Sequence, residues 1–215
     1  MGKVFNYEKW KRRKLAIIHI QSSDYRLKAA YDLLEVPIIL YEENDPDLEK
    51  KFMADSDSIC GIVIGGGPSL KPGEIEPISK KILNFNLPKL GICLGHEILG
   101  QHLGSKIVSC DEDVEGGEIV SWAGEVGEVL AKLFPNILFE GLPDLPGEYP
   151  VSMNHFKMLE EKPKGSQIIA ETKFTPVAGF YHPKLKIWGL QFIPQKNWLN
   201  TIIFNNYYNY CLSQI

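Results

Sequence analysis

The chain has 215 residues, with 23 Lys and Arg against 27 Asp and Glu, a net charge of −4, 44% hydrophobic and 23% charged residues. That balance suits a globular chain with a sizeable core and excludes a general electrostatic attraction to nucleic acid or an anionic membrane. No apolar run approaches the roughly 20 residues of a membrane helix, and no leader with a cleavage site is evident at the N-terminus.

Residues 1–14 read as a lead-in whose basic cluster, Lys9, Lys11, Arg12, Arg13 and Lys14, is a solvated surface. Leu15–Ile20 is a buried-strand run, and Arg26–Glu35 has helical spacing with Leu27, Ala30, Tyr31 and Leu34 on one face. Val36–Tyr41 is a second strand, Asp47–Ala54 a short helix opened by Pro46, and Gly61–Ile64 a third strand ending in Gly65-Gly66-Gly67-Pro68. A helix over Glu74–Phe85 stops before Pro88. Lys89–Cys93 is the fourth strand, and Ile98–Leu103 continues a helix after it. Near-continuous apolar strands separated by helices predict a parallel sheet covered on both faces.

After Ser105 the pattern shifts to short strand-like pieces at Lys106–Ser109, Glu118–Trp122, Tyr149–Met153, Gln167–Glu171, Val177–Tyr181 and Ile187–Phe192, divided by Gly, Pro and Asp turns. These predict antiparallel additions, and Asn197–Leu212 a closing helix. With no linker or repeat, residues 1–215 are expected to form a single domain.

Cys60, Cys93, Cys110 and Cys211 are scattered without metal-ligand spacing, so reduced thiols, a cytoplasmic location, and neither metal nor cofactor are expected. Cys93 differs from the others in its setting. Gly91-Ile92-Cys93-Leu94-Gly95 follows a short apolar run and precedes a helical pattern, which is a nucleophile elbow in sequence form. The flanking glycines admit close backbone approach, and a thiol at a helix N-terminus is biased towards the thiolate.

From about Leu15 to Leu212 the chain resembles the class I, triad-type glutamine amidotransferases, a family with a flavodoxin-like α/β fold. The likeness rests on three ordered motifs. Gly65-Gly66-Gly67-Pro68 is similar to the family's oxyanion loop, which implies backbone N–H donors at Gly66, Gly67 and, after the nucleophile, Leu94. Gly91, Cys93 and Gly95 match the elbow G-x-C-x-G, and Met153-Asn154-His155 is similar to the M-S-H substrate loop of the glutaminase subunits of GMP synthase. The resemblance implies a substrate pocket touched by Asn154, His155 and the residue at 97. It also implies glutamine, or another small amide or ester, as ligand, and a synthase-type protein as partner.

The chain departs from the family where chemistry would be activated. The family's G-V-Q-F-H-P-E reads Gly189-Leu190-Gln191-Phe192-Ile193-Pro194-Gln195 here, so Ile193 and Gln195 stand at the positions of the catalytic His and Glu. Losing a general base costs on the order of 10²–10⁴ in rate, and triad members act as a unit. Glu97 stands where active members carry glutamine. A carboxylate there would repel the substrate's own carboxylate and raise the pKa of the thiol. The expectation is an amidotransferase relative impaired or inactive in glutamine hydrolysis, acting in binding or regulation. The alternative is an active cysteine-dependent amidotransferase or hydrolase in which His155 replaces the missing base. His96, three residues past the thiol on the elbow helix, is expected to point away, and His19, His102 and His182 to be structural or exposed.

Overall fold

The computed structural model describes residues 13–20, 36–66, 78–110, 112–115, 118–122, 124–194 and 199–215, with the backbone alone over 112–115 and 118–122. The helix expected over Arg26–Glu35, the start of the one expected at Glu74, Gly67 and Gln195 lie outside these residues.

Five strands form a parallel array: β1 (Lys14–His19), β2 (Ile38–Glu42), β3 (Ile59–Gly65), β4 (Lys89–Ile92) and, far along the chain, β13 (Ile187–Leu190). Between the last two come β5 (Ile107–Ser109), β6 (Glu112–Glu115), β7 (Glu118–Trp122), β8 (Glu125–Leu133), β9 (Gly147–His155), β10 (Lys157–Leu159), β11 (Gln167–Thr172) and β12 (Gly179–His182). The main sheet runs β2-β1-β3-β4-β13-β12-β11-β8-β9, and every pairing beyond β13 is antiparallel. Two small antiparallel pairs, β5 with β10 and β6 with β7, stand apart. The parallel half has the flavodoxin-like order in which the chain reverses direction between β1 and β3. In such sheets ligands bind outside the carboxyl ends of the strands near that reversal.

Helices α1 (Leu48–Asp55), α2 (Lys80–Leu83), α3 (Leu94–His102) and α4 (Leu199–Ser213) are described. The parallel strands are apolar at successive positions because both sheet faces are covered. Leu15 and Ile17 of β1 enter one apolar cluster with Phe204, Tyr207 and Cys211 of α4, while Ala16 and Ile18 enter a second with Phe52 of α1 and Ile98 of α3. Buried Trp188 of β13 stacks on Tyr181 at 4.4 Å between centroids and meets Tyr207 and Tyr210 of α4 edge-on at 5.8 and 4.9 Å. Its indole N–H donates to Asn136 Oδ1 at 3.0 Å. The Tyr207 hydroxyl donates to the Ile62 carbonyl at 2.9 Å, tying α4 to the middle of β3.

Most expected strands lie within two or three residues of the observed ones, and β7 matches residue for residue. Strand β8 has no counterpart among the expected strands. Its Gly127 has φ 98° and its Val126 and Leu130 are exposed, so neither propensity nor alternation marks it. The strand expected through Cys93 ends at Ile92, because Cys93 turns the chain into α3.

Candidate functional site

Strand β4 delivers the chain to Cys93, whose backbone adopts φ 54° and ψ −111°. A non-glycine residue held there costs about 1–3 kcal/mol and persists only where its surroundings over-determine it. The Cys93 N–H donates to the Leu190 carbonyl of β13 at 2.8 Å, while its own carbonyl accepts from the N–H groups of His96 and Glu97 at 3.0 and 3.3 Å, opening α3. The two glycines are demanded by contact. A Cβ on Gly91 would run into the Gly95 carbonyl, and one on Gly95 into the Ile64 carbonyl of β3. Three elements therefore meet backbone to backbone beneath the cysteine.

Gly65 pairs with Ile92, which sets Gly66 at the strand end beside the elbow. Gly66 has φ 99°, and a Cβ there would come within 2.7 Å of the Ile20 carbonyl oxygen and 3.1 Å of the His19 ring. The carboxyl ends of β1, β3 and β4 thus converge on one edge. His19 is buried there, a placement its position in an apolar strand did not distinguish from ordinary core.

Cys93 is 4% exposed, and its thiol lies 3.9 Å from the Asn154 carbonyl oxygen. Ile193, 6% exposed, shares an apolar cluster with Cys93 and donates its N–H to the Ser152 carbonyl at 2.8 Å. The position that resembles the family's base is therefore a buried aliphatic residue whose backbone is tied to β9. Glu97 is fully buried on α3, where the Gln191 side-chain amide donates to its Oε1 at 3.3 Å. The carboxylate expected at the substrate contact thus engages an internal partner. Leu94 opens α3 and is buried.

His155 ends β9 and is buried. Its Nδ1 lies 2.8 Å from the Lys157 carbonyl and 4.0 Å from the Cys110 sulfur. Its Nε2 lies 3.4 Å from both Glu125 Oε2 and Thr175 Oγ1. Glu125 also accepts from the Thr172 hydroxyl at 2.7 and 2.9 Å and from the Thr175 hydroxyl at 2.5 Å. Burial disfavours charge on the imidazole, but Cys110, Glu125 and the Lys157 carbonyl outweigh it and push the pKa up to about 9. Burial likewise opposes ionisation of Glu125, and the bonds from His155, Thr175 and Thr172 hold its pKa below the usual carboxylate value. The pair is accordingly an imidazolium and a carboxylate at neutral pH.

Sequence reasoning missed Glu125, Thr172, Thr175 and Cys110 as partners of His155. The register of β8 on β9, which sets Glu125 opposite His155, would have revealed the first. His96 is fully buried against Phe180 at 5.2 Å between centroids, and burial pulls its pKa down to about 3, so it is a neutral core residue. Among the described residues, no group of three or more His, Cys, Asp or Glu side chains could hold a metal ion, and no helix is long and apolar enough to cross a membrane.

Residues 19–206 match the family model of glutamine amidotransferase class-I. The chain is 34% identical over 136 residues to one subunit of the glutamine-hydrolyzing GMP synthase of Thermococcus kodakarensis, covering 63% of this chain and 65% of that protein. It is 32% identical over 155 residues to the glutamine-hydrolyzing GMP synthase of Streptococcus mutans, covering 70% of this chain but 28% of that one. The chain thus spans under two thirds of the first relative and little over a quarter of the second. Among solved structures, a protein of Thermoplasma acidophilum provisionally assigned as a GMP synthase subunit superposes with a TM-score of 0.73 at 23% identity, covering 94% of this chain and 96% of that one. A glutamine amidotransferase of Thermotoga maritima gives 0.61 at 17% identity, covering 94% and 85%.

Proposed function

Because this chain belongs to the class I glutamine amidotransferase family, we propose that it is a member that has given up glutamine hydrolysis and uses the amidotransferase scaffold for binding or regulation. The observation that carries this reading is buried Ile193 beside the elbow, where the family's histidine would accept the thiol proton and return it to ammonia. An isoleucine does neither. Gln195 cannot hold the charge that would orient such a histidine, so restoring the base alone would leave its tautomer unset. Two further features support the reading. Glu97 places a buried carboxylate, bonded to Gln191, where a glutamine would greet the substrate's glutamyl group. The Cys93 thiol faces the Asn154 carbonyl, an acceptor that takes up no proton.

In this reading Gly66 and Leu94 offer backbone N–H groups around the elbow, and Asn154 and His155 border the substrate pocket that the family resemblance implies. The site would therefore bind a glutamine-like amide or ester without turning it over. A synthase-type protein is the partner that the relatives suggest.

A second reading draws on the strained backbone of Cys93, which would be needless if the thiol had no use. There Cys93 attacks an amide or ester with a group of the bound substrate taking its proton, because His155, already an imidazolium with both ring nitrogens engaged, has no lone pair to offer. Ammonia release from glutamine by the purified chain, compared with Cys93→Ala, tests the first reading. The expected result is no difference. Intact mass after incubation with a glutamine-mimicking chloroketone tests the second: a stoichiometric adduct that Cys93→Ala abolishes, together with thiol-dependent turnover, would replace the first reading by the second.

A further inference from the structure

The opposite edge of the sheet holds a cavity that the elbow does not use. It lies at the amino-terminal ends of β3, β4 and β13 and has a volume of about 290 Å³. Lys89 opens the short strand β4 and Cys93 follows its last residue, about 13 Å away at the rise of a strand. The cavity wall is mixed: Leu83, Phe85, Leu87 and Ile187 give it apolar surface, with the Cys60 and Cys211 thiols among them, and Asn84, Asn86 and Gln214 add polar groups.

Lys89 is 4% exposed, and its ammonium donates to the Phe85 carbonyl at 2.5 Å and the Leu87 carbonyl at 3.0 Å. An ammonium has three N–H groups, and these two carbonyls account for two of them. Lys184, Lys186 and His102 also line the cavity, and no carboxylate side chain occurs among its described lining residues. Burial alone pulls the Lys89 pKa down to about 8, so the amine is still mostly charged at neutral pH. A buried charge without a counter-charge is costly, and no ion pair among the described residues offsets this one.

We infer that this cavity binds a small organic anion with an apolar body, its carboxylate or phosphate accepting the remaining Lys89 proton while the body rests against Phe85, Leu87 and Ile187. The size suits a small molecule, and an apolar patch set beside cationic groups suits a ligand with one anionic end. Lys184 and Lys186 at the rim give the entrance the same sign of attraction.

Calorimetric titration of the full chain near neutral pH, with sodium octanoate and with phenyl phosphate, tests this. Octanol and phenol serve as neutral counterparts. The expected result is one saturable site for at least one of the two anions, weakened about tenfold or more in Lys89→Met, as loss of a charge-assisted hydrogen bond requires, and no saturation by the neutral compounds. If Lys89→Met does not fold, because it also releases the Phe85–Leu87 turn, Lys184→Glu decides in its place, with an expected weakening of about threefold. The inference is overturned if neither anion saturates, if a neutral counterpart binds as tightly as its anion, or if the deciding variant binds the anion as the wild type does.

Discussion

Glu125→Gln keeps the shape of the side chain and removes the charge that faces His155. In the unfolded chain the imidazole has a pKa of 6.5, and in the fold it is pushed up to about 9. At 1.36 kcal/mol per tenfold, the fold prefers the imidazolium by about 3 kcal/mol. Cys110 and the Lys157 carbonyl supply part of that preference. The variant, however, also leaves a buried imidazolium without a counter-ion, and breaking a buried pair costs about 3–5 kcal/mol. A loss of about 3 kcal/mol near pH 6 is therefore expected.

The sign of the pH dependence follows from the two directions of shift. The His155 contribution is fully present below 6.5 and is lost as pH rises through about 9. The Glu125 contribution is present above the ordinary carboxylate pKa and is lost as pH falls through its lowered value. Above about pH 9 the imidazole is neutral in both proteins, and the penalty should shrink to about 1 kcal/mol, the worth of weakened bonds from Thr172 and Thr175. Urea unfolding followed by far-UV circular dichroism at pH 6 and pH 9.5 measures both values. A penalty under about 1 kcal/mol at pH 6, or one that does not shrink in alkali, would refute the reading of the pair as ionic.

Cys93→Gly should be more stable than Cys93→Ala by about 1–2 kcal/mol, because only glycine is at ease at φ 54° and ψ −111°. Thermal unfolding of the two variants checks this, and equal stability would mean the elbow is not strained. The combined change Ile193→His, Gln195→Glu and Glu97→Gln should restore only traces of glutaminase activity in an ammonia-release assay. An imidazole must fit where Ile193 is buried in the same apolar cluster as Cys93, and Gln191 loses its buried carboxylate acceptor. Recovery to rates typical of an enzyme would show that the supporting residues never drifted.

The parallel half of the fold is legible because its physics is local. Strands covered on both faces must be apolar through their middles, as β1 is from Leu15 to Ile18 and β3 along its whole length, and the elbow announces itself by glycines that the Ile64 and Gly95 carbonyls leave no room to replace. The antiparallel half is less legible, for reasons that particular residues make plain. Strand β8 mixes exposed Val126 and Leu130 with buried Glu125 and a left-handed Gly127, inverting the usual relation of polarity to burial. The sequence pattern of β9 stops at Met153. Its continuation to His155 sets that histidine opposite Glu125, where the imidazole finds its carboxylate. No residue near His155 in the sequence states that pairing, since Glu125, Thr172 and Thr175 arrive from other strands and turns. Ile193 and Glu97 are visible as departures, but the partners they find, Ser152 and Gln191, depend on the assembled sheet.

The packing of Trp188, one of four tryptophans in the chain, makes it an optical reporter of the last helix once the other three are removed. Tyr181 neighbours the indole from within the sheet, whereas Tyr207 and Tyr210 reach it from α4. Tyrosine emission overlaps indole absorption, so at these ring separations light absorbed by the phenols emerges as tryptophan fluorescence. If α4 lifts away, two of the three donors leave with it while Tyr181 stays. Emission excited through tyrosine then falls relative to emission excited through tryptophan alone. With Trp10, Trp122 and Trp198 replaced by phenylalanine, so that Trp188 alone emits, the ratio of the two excitations therefore distinguishes detachment of the C-terminal helix from collapse of the sheet itself.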